Sequence, residues 1–200
     1  MWHLKWNFKL SHTLTSASLT NAVLNEEMFL KYQEGAVDYT PFIPNPNLGI
    51  ISPSSFSQRE VSEYQIDYNA ELYRKQHDET KLYPSRFACI FAFGSLEAAQ
   101  KAADFCGWSM DSVKKFRLNE SFPTRVVKVN MQVISEMWAI GNGAVFDQAE
   151  NEIIWSHYWR GGGELPLDIP DLKTGEDRET MNLGIIWEYL IDGQLEMVEE

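Results

Sequence analysis

Residues 86–93 constrain the fold more than any other part of the sequence. They read Arg-Phe-Ala-Cys-Ile-Phe-Ala-Phe and are almost continuously apolar. A strand of this kind needs cover on both faces, which predicts a central position in a sheet. Gly94 and Ser95 follow, and they cap an alanine-rich helix predicted over residues 96–106 and ended by Gly107. We therefore expect a sheet with helices packed against it.

Hydrophobic periodicity and capping signals predict the other elements. Further predicted helices lie at residues 15–34, at residues 57–78, and from a capping box at Asp147 and Glu150 to the glycines at 161–163. Further predicted strands lie at residues 2–8, 113–118, 124–133, 185–191 and 194–198. The order of these elements favours an α+β fold with a mixed, twisted β-sheet core and flanking helices.

Two proline-containing segments and one turn signal complete this outline. Residues 36–56 contain four prolines and are predicted to form a long loop, as is the proline- and charge-rich segment before residue 185. Asp192 and Gly193 separate two strand patterns, which is a strong signal for a β-hairpin. A length of 200 residues suits one domain over residues 1–200.

The charge and residue content of the chain limit which classes of partner we expect the protein to bind. The formal net charge is −12, which disfavours binding to nucleic acid or to an anionic membrane. We find neither a signal peptide nor a long apolar run, and therefore expect a cytoplasmic protein. Two cysteines and four histidines without metal-ligand spacing predict neither a disulfide framework nor a metal site.

Glu188 breaks the pattern of its strand. It is a carboxylate set among Ile186, Trp187, Tyr189 and Leu190. A buried carboxylate must find a partner, face a cleft or stay protonated, because burial of an unpaired charge costs several kcal/mol. Such carboxylates occur in catalytic clefts. The alternative is that Glu188 points outward from a strand with one apolar face.

His3 is a second candidate. It lies on the polar face of the strand predicted over residues 2–8. A neutral imidazole both donates and accepts a hydrogen bond, which suits it to hold a ribose or an amide. The alternative is a solvent-facing strand residue. The sequence contains no serine nucleophile elbow, no P-loop and no dinucleotide-binding glycine motif.

Three segments together resemble the ADP-ribosyltransferase superfamily, and in particular its His-Tyr-Glu branch, which includes the catalytic domains of poly(ADP-ribose) polymerases. They are Trp2 and His3, residues 86–105, and Trp187–Asp192. Residues 158–161 and 187–193 also resemble a family of bacterial and phage domains expected to share this fold. The combined resemblance covers nearly the whole chain, although each motif is short.

The resemblance implies NAD as a substrate and assigns roles to particular residues. Glu188 would be the catalytic glutamate, His3 would hold a ribose of NAD, and Ser85 or Arg86 would contact the nicotinamide amide or the diphosphate. The tyrosine of the middle strand is replaced by Ile90, so the stacking ring would come from another aromatic residue. The candidates for that ring are Phe87, Phe91 and Tyr83.

The resulting hypothesis is transfer of ADP-ribose from NAD to an acceptor that is either a macromolecule, such as a protein, or a small molecule. An alternative is a catalytically degenerate transferase fold that binds a protein or a nucleotide. A third interpretation is an acidic interaction or inhibitor protein that docks on a basic target.

Overall fold

A computed structural model describes residues 13–22, 58–140, 146–170 and 178–198. The helices are α1 (Ala17–Ala22), α2 (Gln58–Gln76), α3 (Leu96–Cys106), α4 (Met131–Ile140) and α5 (Gln148–Trp159), with a 3₁₀ turn at Met110–Ser112. The strands are β1 (Thr13–Thr15), β2 (Ile90–Ala92), β3 (Phe116–Leu118), β4 (Arg125–Asn130), β5 (Leu165–Pro170), β6 (Arg178–Leu183), β7 (Trp187–Asp192) and β8 (Gln194–Met197). The fold is α+β. His3, the predicted strand 2–8 and the predicted loop 36–56 lie outside the described residues.

Capping residues determine where helices α3 and α5 begin and end, as the sequence predicted. Ser95 Oγ accepts from the Ala98 backbone N–H at 3.1 Å, and Gly107 ends α3 with φ of 72°. Asp147 and Glu150 form the reciprocal capping box at the start of α5. Helix α2 likewise matches the predicted helix at residues 57–78 to within two residues at each end.

The described strands form three separate antiparallel arrangements. One sheet has the order β1-β8-β3, a second has the order β2-β7-β4, and β5 pairs with β6 alone. All pairings among these strands are antiparallel, whereas the sequence analysis predicted a mixed sheet. Among the helices described here, none is long and apolar enough to cross a membrane.

The strand predicted at residues 86–93 is shorter than expected, and among the described strands it lies at the edge of its sheet rather than at the centre. Only Ile90–Ala92 is extended, and among the described strands it pairs with β7 alone. The preceding residues turn instead, because the Ser85 carbonyl accepts from the N–H groups of Ala88 and Cys89 at 3.1 and 2.9 Å. The central strand of this sheet is β7, which pairs with β2 on one side and β4 on the other.

The predicted hairpin at Asp192 and Gly193 is also wrong. The chain bends at Gly193 and continues, so that β7 lies in one sheet and β8 in the other. Ser16 bonds to both backbone groups of Gly193: its N–H donates to the Gly193 carbonyl at 2.8 Å, and its Oγ accepts from the Gly193 N–H at 3.0 Å. The Asp192 carboxylate accepts from the hydroxyls of Ser16 and Ser18. These bonds join β1 and α1 to the bend.

Two further predictions are corrected by the structure. The strand predicted at residues 124–133 ends at Asn130, where α4 begins. Asn130 Oδ1 accepts from the Gln132 N–H at 3.2 Å, as a helix-capping side chain does. The segment before residue 185, predicted to be a loop, contains β5 and β6.

The main core lies between one face of the β2-β7-β4 sheet and the helices α2, α4 and α5. Its sheet residues Val127, Val129 and Leu190 are at most 8% exposed. They pack with buried residues of the helices and of β5 and β6, which include Ile66, Ala70, Tyr73, Val133, Met137, Ile154, Trp155, Tyr158, Trp159, Leu165 and Leu183. Side chains two residues apart on a strand share a face, so Glu188 points to the same side as Leu190.

Candidate functional site

Glu188 lies on the covered face of the central strand. It is directly opposite Val129 of β4, and the residue is 8% exposed. The isoleucines and aromatic residues around it favour a strand, and the alternation of that strand turns the carboxylate toward α2 and α5. The structure therefore supports a buried carboxylate, and not the outward-facing one that the sequence left open.

Arg86 is the cationic partner of Glu188. Its Nη1 lies 3.6 Å from Glu188 Oε2, and its side chain is 9% exposed. The same nitrogen donates to the Tyr158 hydroxyl at 2.5 Å, and Nε donates to Asp67 Oδ1 at 2.5 Å. One guanidinium thus joins α2, α5 and β7.

Two aromatic rings flank this guanidinium. Its central carbon lies 5.0 Å from the centroid of the Phe91 ring and 5.6 Å from that of the Tyr158 ring, both within cation–π range. Tyr158 is fully buried, whereas Phe91 is 45% exposed. The ring of Phe91 therefore has one part against Arg86 and another part in contact with solvent.

Burial and the neighbouring charges oppose one another at Glu188. Burial raises the pKa of the carboxyl group, the charge and hydrogen bonding of Arg86 lower it, and Asp67 raises it again. The net direction is upward. Burial also raises the pKa of the Tyr158 phenol, which is therefore neutral. Burial disfavours the charged form of Arg86, the negative charges of Asp67 and Glu188 favour it, and the net direction of the guanidinium pKa is upward.

Glu71 fixes the segment that carries Arg86. Its Oε1 accepts from the Arg86 backbone N–H at 2.8 Å, and its Oε2 accepts from Ser85 Oγ at 2.9 Å. Oε2 also accepts from Nε and Nη2 of Arg74, at 3.0 and 2.9 Å, and both side chains of this pair are fully buried. This carboxylate therefore holds the turn at residues 85–89 against α2.

The structure brings together three of the predicted site residues, Glu188, Arg86 and Phe91. The Ser85 side chain is buried and bonded to Glu71, and Phe87 is 9% exposed. Contact of either with a ligand therefore stays a prediction, as does the role of His3. Among the described residues, no group of three or more His, Cys, Asp or Glu side chains is arranged to hold a metal ion.

Asp67 and Tyr158 also belong to this cluster, although the sequence did not mark either of them as a site residue. Asp67 lies in a helix with many charged positions, where a carboxylate is normally solvated. Tyr158 lies in a run of aromatic residues that reads as core. Their shared partner, Arg86, is distant from both in the sequence, so no local pattern links the three.

No protein-family model matches the chain, and the search of curated proteins gave no match either.

Proposed function

We propose that the protein transfers ADP-ribose from NAD to an acceptor, with Glu188 as the catalytic carboxylate of an ADP-ribosyltransferase-like fold. The observation that supports this most is the pairing of a buried carboxylate with Arg86 beside the partly exposed ring of Phe91. A carboxylate with a perturbed pKa in such surroundings is a candidate catalytic group. The resemblance of Trp187–Asp192 to the glutamate strand of the superfamily points to the same residue.

The proposed reaction breaks the bond between the nicotinamide nitrogen and C1′ of the ribose. The electron pair leaves with nicotinamide, and positive charge develops on the ribose. An acceptor nucleophile then forms a bond to C1′ and loses its proton to water. The ionised form of Glu188 would stabilise the developing charge and accept a hydrogen bond from the ribose 2′-hydroxyl.

The neighbouring residues fit NAD in part. The exposed part of the Phe91 ring offers a stacking surface for a nicotinamide or adenine ring. Arg86 is already engaged by two carboxylates, so its main contribution would be to orient Glu188, with a weaker role toward a diphosphate. His3 remains the predicted ribose contact.

A second candidate is a catalytically degenerate fold that binds a nucleotide or a protein. Two observations favour it. Glu188 is engaged by Arg86 and its pKa is raised, which favours the neutral form. Ile90, in place of the expected tyrosine, pairs with Ile191 within the sheet.

Nicotinamide release from NAD separates the two candidates. Glu188→Gln keeps the shape of the side chain but removes its charge, so turnover is expected to fall on the order of 100-fold or more while NAD affinity changes little. Glu196→Gln is the matched control. It makes the same change in β8, where Glu196 forms an exposed pair with Arg117 of β3. Equal turnover in wild type and Glu188→Gln would contradict the catalytic assignment. NAD binding without release would support the degenerate fold.

A further inference from the structure

Asp67 is a charged member of the buried cluster to which the proposed reaction gives no role. Its Oδ1 lies 2.5 Å from Arg86 Nε, and its side chain is 17% exposed. Asp67 belongs to α2, whereas Glu188 belongs to β7. Arg86 therefore connects a helix to the strand that carries the candidate catalytic carboxylate.

The shape of the guanidinium makes this connection directional. An arginine head is planar and its N–H groups point in fixed directions. When Nε donates to Asp67 and the guanidinium carbon lies over the Phe91 ring, the direction of Nη1 is restricted. That nitrogen lies at the Tyr158 hydroxyl and 3.6 Å from Glu188 Oε2.

We propose that Asp67 is a positioning residue for Glu188. Asp67 anchors Arg86 and shares the positive charge of Arg86 with Glu188. The inference rests on the proposed function only in naming Glu188 as the working group. With Glu188 ionised, the cluster holds two carboxylates and one guanidinium. With Glu188 protonated, the negative charge of Asp67 balances the positive charge of Arg86. Because Asp67 also pairs with Arg86, the positive charge of Arg86 is shared between two carboxylates and does not neutralise only Glu188.

The other titratable groups near Glu188 leave this balance unchanged. In addition to burial, the charge of Glu188 raises the pKa of three other titratable groups, which are the Tyr158 phenol of α5, the Cys89 thiol in the turn before β2 and the Cys106 thiol at the end of α3. Burial raises the pKa of each of these groups, so all three are neutral. Asp67 and Arg86 are the charged groups that directly influence the carboxylate in the described part of the chain.

Replacement of Asp67 by asparagine isolates the role of its charge. Asparagine has nearly the same shape and keeps an oxygen that accepts from Arg86 Nε. Glu188 would then be the nearest anionic partner of Arg86, so it should stay ionised to lower pH. Asp67→Glu keeps a carboxylate, and therefore a negative charge, at this position. Asp78→Asn is the matched control, because it removes the same charge from an exposed pair with Lys81.

The test is a pH titration of Glu188 by NMR in protein labelled with ¹³C at the glutamate carboxyl carbons. The Glu188 signal is the one that disappears in Glu188→Gln. We expect its midpoint to move to lower pH in Asp67→Asn and to stay at the wild-type position in Asp67→Glu and Asp78→Asn. An unchanged midpoint in Asp67→Asn would overturn the inference. If that variant does not fold, Asp67→Ser removes the same charge with a smaller side chain, and the same two outcomes apply.

The pH profile of nicotinamide release gives a second measurement. The acid limb of the profile should move to lower pH in Asp67→Asn, whereas a purely structural role would lower thermal stability and leave the limb in place. If the wild type releases no nicotinamide, the proposed function fails, and the titration alone decides the role of Asp67.

Discussion

Arg86 and Glu188 are paired on the covered face of the β2-β7-β4 sheet, with 3.6 Å between Nη1 and Oε2. The two residues reach each other from different elements, the turn before β2 and the centre of β7. Because both side chains are nearly buried, a change at either one leaves a charge whose solvation by water is restricted. This pair therefore influences the stability of the fold as well as the chemistry that we propose.

Stability should depend on pH through Glu188. The pKa of Glu188 is raised in the folded state, so its favourable contribution is fully present below the ordinary glutamate pKa and is lost as pH rises through the raised value. Glu188→Gln cannot titrate. We therefore expect this variant to gain stability relative to the wild type as pH rises above the ordinary glutamate pKa of about 4.3. Urea unfolding at several pH values measures the difference, and a constant difference would contradict the prediction.

Glu71 should be among the residues most important for stability. Glu71→Gln removes the charge that faces the fully buried Arg74 and weakens the bonds to Ser85 and to the Arg86 backbone. Loss of one member of a buried ion pair costs about 3–5 kcal/mol. The measurement is the free energy of unfolding in urea. Asp78→Asn serves as the surface control, and a loss no larger than in that control would show that Glu71 is dispensable.

Two glycines with similar backbone angles should differ in their tolerance of alanine. Gly107 and Gly161 have φ of 72° and 64°, a left-handed conformation that costs an alanine about 1–2 kcal/mol. An added Cβ meets nothing within 4 Å at Gly107, but at Gly161 it lies 2.9 Å from the Lys128 carbonyl oxygen. Gly161→Ala should therefore lose about 1–3 kcal/mol more than Gly107→Ala. Equal losses in thermal or urea unfolding would show that the backbone at Lys128 can move away.

Elements whose ends depend on neighbouring residues were predicted best from the sequence. Ser95 and Gly107 bound α3 through contacts within a few positions, and the Asp147–Glu150 capping box fixes the start of α5 in the same local way. The sequence prediction extended β4 to residue 133, because Val133 continues the two-residue alternation of the strand. The strand ends at Asn130, where the Asn130 side chain caps α4. A local cap was present there and outweighed the pattern.

Features decided by distant contacts were not predictable in the same way. Asp192 and Gly193 have the composition of a hairpin turn, but Ser16 and Ser18 bond to them from the opposite end of the chain. In the candidate site, Glu188 was identified because it interrupts an apolar strand. Asp67 was not, because its importance comes entirely from Arg86, which approaches it only in the folded chain.

The bend at Gly193 has a consequence for how the protein is made. In the part of the chain that the structure describes, β7 and β8 are the central strands of two three-stranded sheets and come from residues 187–197. Their partners β1, β2, β3 and β4 precede them on the ribosome. Until residues 187–197 emerge, those earlier strands lack the neighbour that β7 or β8 provides, and the backbone groups that pair with it are open to incorrect pairing. Release of a nascent chain that stops before residue 187 would therefore yield a polypeptide that can complete neither sheet.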